Sequence, residues 1–409
     1  MIGGAEMFEI PVTFADENES YITMPALKRF AKERKRDDLK TTFDREMLIR
    51  NIQDYANQSP KNLEDVKKWI DGVLKEGIKD IQIKYLQLEL IDTERLNNDD
   101  ALIKILNESL INPANQHFCG NAYVKKLKLV RYELHSCDYG RVISIFLSKL
   151  IHTYDKKIVK QIIYPICIDI YVDHNIILAR GKSKSNMYEL MESGFVFEEA
   201  RTTNVEKESK EAITWVTNIL SISIKPKHEV YDIFRSKLYN VLDKYTKTPI
   251  QIRELMDAKK DEIKDLTLNV MGKICNLTDK YLNDVNSDIE NMIEKYFSIN
   301  YPDKNIFTQD RDAYPLKIVA TDEEDSKVEQ TAAFEEPLQS KAVFFDNKKM
   351  MQKSKLCDGV WFRYFRQDST YCTKQFNVKV LVKNDLILKF TEFTMEEDIV
   401  HVLFSLINA

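Results

Sequence analysis

The spacing of apolar residues predicts a mainly helical region over 24–110. Apolar side chains recur at helical spacing over 43–57, and Leu63, Val66 and Ile70 fall on one face of a second helix. Asn62 is suited to the N-cap of that helix, and Gly77 is suited to the position after its end. The crowded apolar stretch over 78–90 indicates one strand within this region.

The central stretch, 115–224, has a mixed pattern. Polar and apolar residues alternate over 124–134, which is typical of a half-exposed strand. The stretch 162–178 predicts a hairpin with its turn at 173–175. We also predict a buried helix over 142–151, a helix beginning near Asn186, and a strand over 212–224.

The stretch 227–298 is strongly helical, and its apolar stripe runs from Ile252 to Tyr296. A stripe of this length predicts an antiparallel helical hairpin or two collinear helices, and its face could be a core or a partner-binding surface. The acidic stretch 321–336 is predicted to be a mobile surface loop or a linker. Strands are predicted over 342–345, 360–365 and 376–390, followed by a helix that begins with a capping box at Thr394 and Glu397.

These elements place the chain in the α+β class. The predicted order is a helical N-terminal domain (1–112), a central mixed α/β domain (113–226), a long helical hairpin (227–300), and an acidic loop with a β-rich C-terminal part ending in a helix (301–409). Segments 166–178 and 376–388 share a layout of hairpin then helix. They are either an internal repeat or two ordinary units of an α+β protein.

Composition excludes some classes of function. A net charge of −5 and 44% apolar residues indicate a folded protein that is not a polycation. The chain has 10 glycines and no phosphate-binding glycine motif, which argues against a nucleotide site, and no cofactor is expected. Six scattered cysteines, no apolar run long enough to span a membrane and no recognisable signal peptide predict a cytoplasmic protein.

Two basic segments are candidates for binding nucleic acid or another anion. One lies within 28–40, and the other, 180–186, is predicted to connect a strand to a helix. Each could instead be an ordinary solvated surface. The candidate residues are Lys28, Arg29, Lys32, Arg34, Lys35, Arg36, Arg180, Lys182 and Lys184.

Two weaker patterns concern metals. His117 and Cys119, and likewise His135 and Cys137, repeat a His-x-Cys spacing beside a predicted strand. These four are zinc ligand types, but the spacing is not a standard zinc arrangement, and the alternative is two half-buried histidines and two small apolar cysteines.

The second pattern is the alternation of Asp80, Gln82 and Lys84. Metal-dependent nucleases of the restriction type place an acid and a (Glu/Gln)-x-Lys triplet on strands. The partner acid is not identifiable in the sequence, and the polar face of an ordinary strand is the alternative reading. No residue is therefore assigned a catalytic role.

We accordingly predict a non-enzymatic accessory or scaffold subunit of a bacterial multi-component system, encoded for phage defence or on a mobile element. Abundant Lys, Asn and Ile are typical of an AT-rich bacterial genome. The expected partner is a protein, and nucleic acid is a further candidate ligand. The alternative is a metal-dependent nuclease with a divergent active site.

Overall fold

The computed structural model describes residues 7–19, 21–34, 44–155, 158–191, 194–321, 327–332, 336–367 and 369–409. Helices and antiparallel strands place the protein in the α+β class, so this prediction is confirmed. The chain divides into two compact units. Unit 1 takes the described residues of 1–230, 368–374 and 385–401, and unit 2 takes those of 231–367, 375–384 and 402–409.

The helices follow the chain as α1 (Val12–Ala15), α2 (Met24–Glu33), α3 (Arg45–Asn57), α4 (Pro60–Val73), α5 (Leu90–Leu96), α6 (Asp99–Ser109), α7 (Phe118–Asn121), α8 (Val205–Leu220), α9 (Lys227–Tyr245), α10 (Ile250–Asp257), α11 (Lys260–Asn269), α12 (Leu282–Asn300), α13 (Ala342–Ser354) and α14 (Glu396–Ile407).

The strands are β1 (Asp80–Gln87), β2 (Lys128–Cys137), β3 (Gly140–Asp155), β4 (Ile158–Tyr171), β5 (Ile176–Gly181), β6 (Met187–Glu189), β7 (Thr202–Thr203), β8 (Ser223–Ile224), β9 (Ala313–Thr321), β10 (Lys327–Thr331), β11 (Gly359–Phe365), β12 (Gln375–Val382) and β13 (Leu386–Phe390).

Unit 1 is built around strands in the order β13-β1-β5-β4-β3-β6-β7, with β2 paired to β3 and β8 paired to β1. Helices cover both faces of β3 and β4, because their side chains are apolar on both sides. One face packs against α2, α3 and α4. The other packs against α5, α6 and α8. Asp80 lies opposite Gly181 on β5 and Lys389 on β13, so β1 aligns residues that are far apart in sequence.

Unit 2 contains the strands β10-β9-β11-β12. The apolar stripe between Ile252 and Tyr296 forms α10, α11 and α12, and both α10 and α11 pack against α12. We call α10–α12 the helical arm. Its interior is small. The buried apolar residues of these helices and of the turn after α11 are four: Ile252, Ile263, Met271 and Ile289. The predicted helical hairpin is confirmed.

Four predicted elements are wrong. Residues 142–151 belong to strand β3, because a strand buried on both faces shows no alternation and resembles a buried helix. Residues 212–220 end helix α8, which Asn204 caps by accepting a hydrogen bond from the Lys207 amide. The helix expected near Asn186 is the short strand β6, and the strand expected over 342–345 is the start of α13.

The acidic stretch 321–336 contains strand β10, so it is not a loop throughout, and 322–326 and 333–335 lie outside the described residues. The two similar segments are both extended with a turn, as predicted. Only the second leads into a helix, α14, whereas the first leads into β6. The prediction that both segments share a hairpin is therefore confirmed, and the prediction that a helix directly follows each hairpin is wrong for the first segment.

Candidate functional site

A buried ionic network lies on the face of β4 and β5 that also carries α4. Arg180 Nη2 lies 2.7 Å from Asp169 Oδ2, and Lys75 Nζ lies 3.1 Å from Asp169 Oδ1. Arg180 Nη2 also donates to Glu396 Oε1 at 2.9 Å. Burial alone would raise the pKa of Asp169, but the charges of Lys75 and Arg180 hold that pKa well below its usual value. This network places Arg180 among carboxylates within the fold.

Next to this network, three lysines surround one tyrosine ring. The Nζ atoms of Lys79, Lys182 and Lys184 lie 5.5, 5.2 and 5.3 Å from the centroid of Tyr21. We call these three residues the lysine cluster. Lys79 precedes β1 and Lys182 follows β5, and the pairing of Asp80 with Gly181 brings the two together.

Glu19 contacts the lysine cluster directly, and Glu76 lies near enough to Lys79 to act on its charge. Lys182 donates to the carbonyl of Glu19, and Lys184 pairs with the Glu19 carboxylate. In the part of the chain that the structure describes, the ammonium group of Lys79 makes no hydrogen bond or ion pair, although its carbonyl accepts from the Phe390 amide. Burial lowers the pKa of Lys79 to about 8. Burial, with the charges of Lys184 and Lys79, lowers the pKa of Lys182 to about 6.

The polar face of β1 meets an acid that the sequence did not identify. Gln82 Nε2 and Lys84 Nζ both donate to the carboxylate of Asp385, which lies just before β13. Lys389 donates to Asp80 Oδ2 at 2.9 Å. Gln82 Oε1 is buried and accepts no hydrogen bond from the described residues. A cavity of about 20 Å³ lies beside Asp80 and Gln82.

The two His-x-Cys pairs lie apart, because His117 and Cys119 are at the start of α7 whereas His135 and Cys137 are at the end of β2. His117 Nδ1 is 2.5 Å from Asp71 Oδ2, and its Nε2 is 3.1 Å from Glu64 Oε1. Arg131 Nη1 donates to the same Asp71 oxygen at 2.8 Å.

Cys119 is buried beside this group, and burial raises its pKa. His135 and Cys137 are exposed at the far end of β2, and His135 is four strand residues, about 13 Å, beyond Arg131. Among the described residues no group of three or more His, Cys, Asp or Glu is arranged to hold a metal ion.

The first basic segment forms much of α2, and its described arginines contact α4 and the turn that follows α4. Arg29 Nη2 lies 2.6 Å from Glu76 Oε2, and Arg34 Nε lies 2.6 Å from Asp65 Oδ2. The Arg34 guanidinium also stacks 3.7 Å from the Phe30 ring centroid. Lys32 Nζ lies 5.1 Å from the centroid of the Tyr371 ring, and Lys28 lies on the same helix. Lys35 and Arg36 lie outside the described residues.

The helical arm contains a groove of about 720 Å³ between α10–α11 and α12. Leu268 and Leu282 line it, and Leu268 is 52% exposed. Ile274, beyond α11, is 74% exposed. An apolar stripe in a sequence does not distinguish a buried core face from such an exposed one, so the groove could not be predicted from the pattern alone.

No family model and no curated protein matches this chain. None of the helices among the described residues combines the length and the apolar character that crossing a membrane requires. The functional reading therefore rests on the geometry of these sites.

Proposed function

We propose that this protein is a non-enzymatic accessory or scaffold subunit whose helical arm binds an amphipathic helix of a partner protein. The observation that supports this proposal is the open groove of about 720 Å³ between α10–α11 and α12. Grooves with an apolar floor and charged edges are a recurrent way of binding amphipathic helices.

The side chains along the groove fit such a ligand. Apolar contacts are available from Met256, Ile263, Leu268 and Leu282. Charged residues of both signs line the groove around them: Arg253, Asp257, Lys260, Asp261, Lys264, Glu290 and Glu294. A partner helix with one apolar face and flanking charges of both signs would complement this arrangement.

The test is selection of binders from a displayed library of amphipathic helical peptides against the whole protein. Leu268→Glu and Leu282→Glu each place a charge in the groove, and Ile103→Glu alters an exposed apolar residue on α6 as the matched control. Burying one leucine contributes about 1.5–3 kcal/mol, so each groove variant should weaken binding roughly tenfold to a hundredfold. The control should bind like the wild type. Binders that ignore both groove variants would contradict the proposal.

A second candidate function, a metal-dependent nuclease, gains support from Asp385. Its carboxylate contacts both Gln82 and Lys84, and Gln82 Oε1 is a buried oxygen with no described partner. One carboxylate and one amide oxygen would suffice for Mg²⁺, which usually retains several waters and is completed by substrate phosphate.

The test is incubation with plasmid DNA and Mg²⁺ or Mn²⁺. We expect Lys84→Ala and Asp385→Asn to abolish cleavage, whereas Lys104→Ala, at an exposed position on α6, retains it. Intact plasmid with the wild-type protein would exclude this candidate.

The cellular setting is part of the proposal. We place the protein in the bacterial cytoplasm, in a defence or mobile-element system. All six cysteines are free thiols, and Cys137 and Cys275 are exposed, which suits a reducing compartment. Nucleic acid stays a candidate second ligand of the basic segment on α2, through Lys28 and Lys32.

A further inference from the structure

We propose that the lysine cluster, together with Tyr21, is a buried binding site for a small oxyanion of the phosphate class. The site lies where the chain enters β1 and leaves β5, beneath the segment that carries Glu19 and Tyr21. It is separate from the helical arm, so it does not depend on the proposed partner function.

The lysine cluster holds more basic side chains than carboxylates. The neighbouring ion pairs, by contrast, join three cations to four carboxylates: Arg29, Lys75 and Arg180 with Glu33, Glu76, Asp169 and Glu396. The lysine cluster has three lysines and one carboxylate, Glu19, within its described contacts. Burial and the other two lysines lower the pKa of Lys182 to about 6, and a bound anion would favour its protonated form. Buried charges without a partner are costly, so this arrangement favours an anionic ligand.

Unused hydrogen-bond donors point the same way. The Tyr21 hydroxyl is buried and has no hydrogen-bond partner among the described residues. The Lys79 ammonium, in a side chain that is 3% exposed, likewise makes no described hydrogen bond or ion pair. Lysine can donate three hydrogen bonds and tyrosine one, so the site offers several donors to a tetrahedral oxyanion.

Burial limits the size of the ligand. Lys79 is 3% exposed and Lys182 is 6% exposed. A nucleic-acid backbone could not reach both ammonium groups without opening the fold. The ligand is therefore a free anion or the terminal phosphate of a small monoester, and both share the charge and the tetrahedral oxygens that the site fits.

The experiment measures binding to the full-length protein by titration calorimetry and by the rise in melting temperature. The probes are inorganic phosphate and glycerol 3-phosphate, with chloride at matched ionic strength as the control. We expect saturable stabilisation by at least one phosphate probe and none by chloride. Tighter binding of phosphate assigns the site to the free ion, whereas tighter binding of glycerol 3-phosphate assigns it to a monoester.

Variants locate the site. Lys79→Met and Lys182→Met each remove one charged donor, which should weaken binding roughly tenfold to a hundredfold. Tyr21→Phe keeps the ring and removes only the hydroxyl, so it should fold normally and bind severalfold more weakly. Lys104→Met, on the exposed surface of α6, should bind like the wild type. No saturable effect of either probe, or equal binding by Tyr21→Phe, Lys79→Met and the wild type, would overturn the proposal.

Discussion

Lys182 should make the stability of unit 1 depend on pH, and Lys182→Met should remove that dependence. Burial and the charges of Lys184 and Lys79 lower the pKa of Lys182 to about 6 in the folded protein. A lysine in the unfolded chain has a pKa of about 10.4. Between these values the unfolded chain binds one more proton than the folded protein, so stability increases as pH rises.

The size of this effect follows from the linkage relation. One proton per molecule corresponds to about 1.4 kcal/mol for each pH unit. The penalty therefore grows as pH falls from about 10 towards 6, and it is constant below that. Lys79, whose pKa burial lowers to about 8, also makes stability increase with pH, but only above pH 8. Glu76, whose pKa burial raises to about 7, makes stability decrease as pH rises, but only below pH 7.

The assay is urea unfolding at pH 7, 8 and 9 in phosphate-free buffer of constant ionic strength, with wild type, Lys182→Met and the exposed control Lys104→Met. Methionine keeps the length of the side chain without its charge. We expect the variant to be more stable at pH 7, and its advantage to shrink by about 1.4 kcal/mol per pH unit. The same groups surround Lys182 in both proteins: Glu19, Tyr21, Lys79, Tyr164 and Lys184. An advantage that stays constant with pH would refute the reasoning.

The remaining predictions concern packing in unit 1, measured as melting temperature and free energy of unfolding. Asp169→Asn should lower the free energy of unfolding by about 3–5 kcal/mol, because it leaves buried cations without their carboxylate. Asp54→Asn, at an exposed site, is the control and should change that free energy by less than about 0.5 kcal/mol. Gly140 has φ +88, and a Cβ there would lie 1.8 Å from Asp173 Oδ2, so Gly140→Ala should cost about 1–3 kcal/mol. Gly72→Ala, with open space inside α4, should instead add about 0.5–1 kcal/mol; equal effects of the two alanines would contradict this reasoning.

Elements with a local signature were predictable. The final helix begins where the sequence places it, although the Met395 amide donates to Asp398 rather than to Glu397. The hairpin over 162–178 is confirmed, with its turn at 172–175. Strand β3 was mistaken for a helix because it is buried on both faces, and apolar content alone does not distinguish the two structures.

The candidate sites depend on contacts between distant parts of the chain. The sequence indicated Lys182 and Lys184 as anion-binding residues in a loop, and both follow the end of β5 at Gly181, but their contacts with Glu19 have no signal in the sequence. Lys79 joins them only through the register of β1 with β5, which no local pattern contains. Asp385 reaches Gln82 in the same way, across 303 positions of sequence.

The position of β1 between β5 and β13 has a consequence for synthesis of the chain. Asp80 pairs with Lys389, so one side of β1 has no β13 partner until residues 386–390 are made. At about 5–20 residues per second, a ribosome needs roughly 15–60 s to travel that distance, and all of 231–367 emerges in between. During that interval the nascent β1 presents an open edge on which another chain could pair. A chain truncated before Asp385 would therefore keep this edge of β1 permanently open, and we expect it to aggregate.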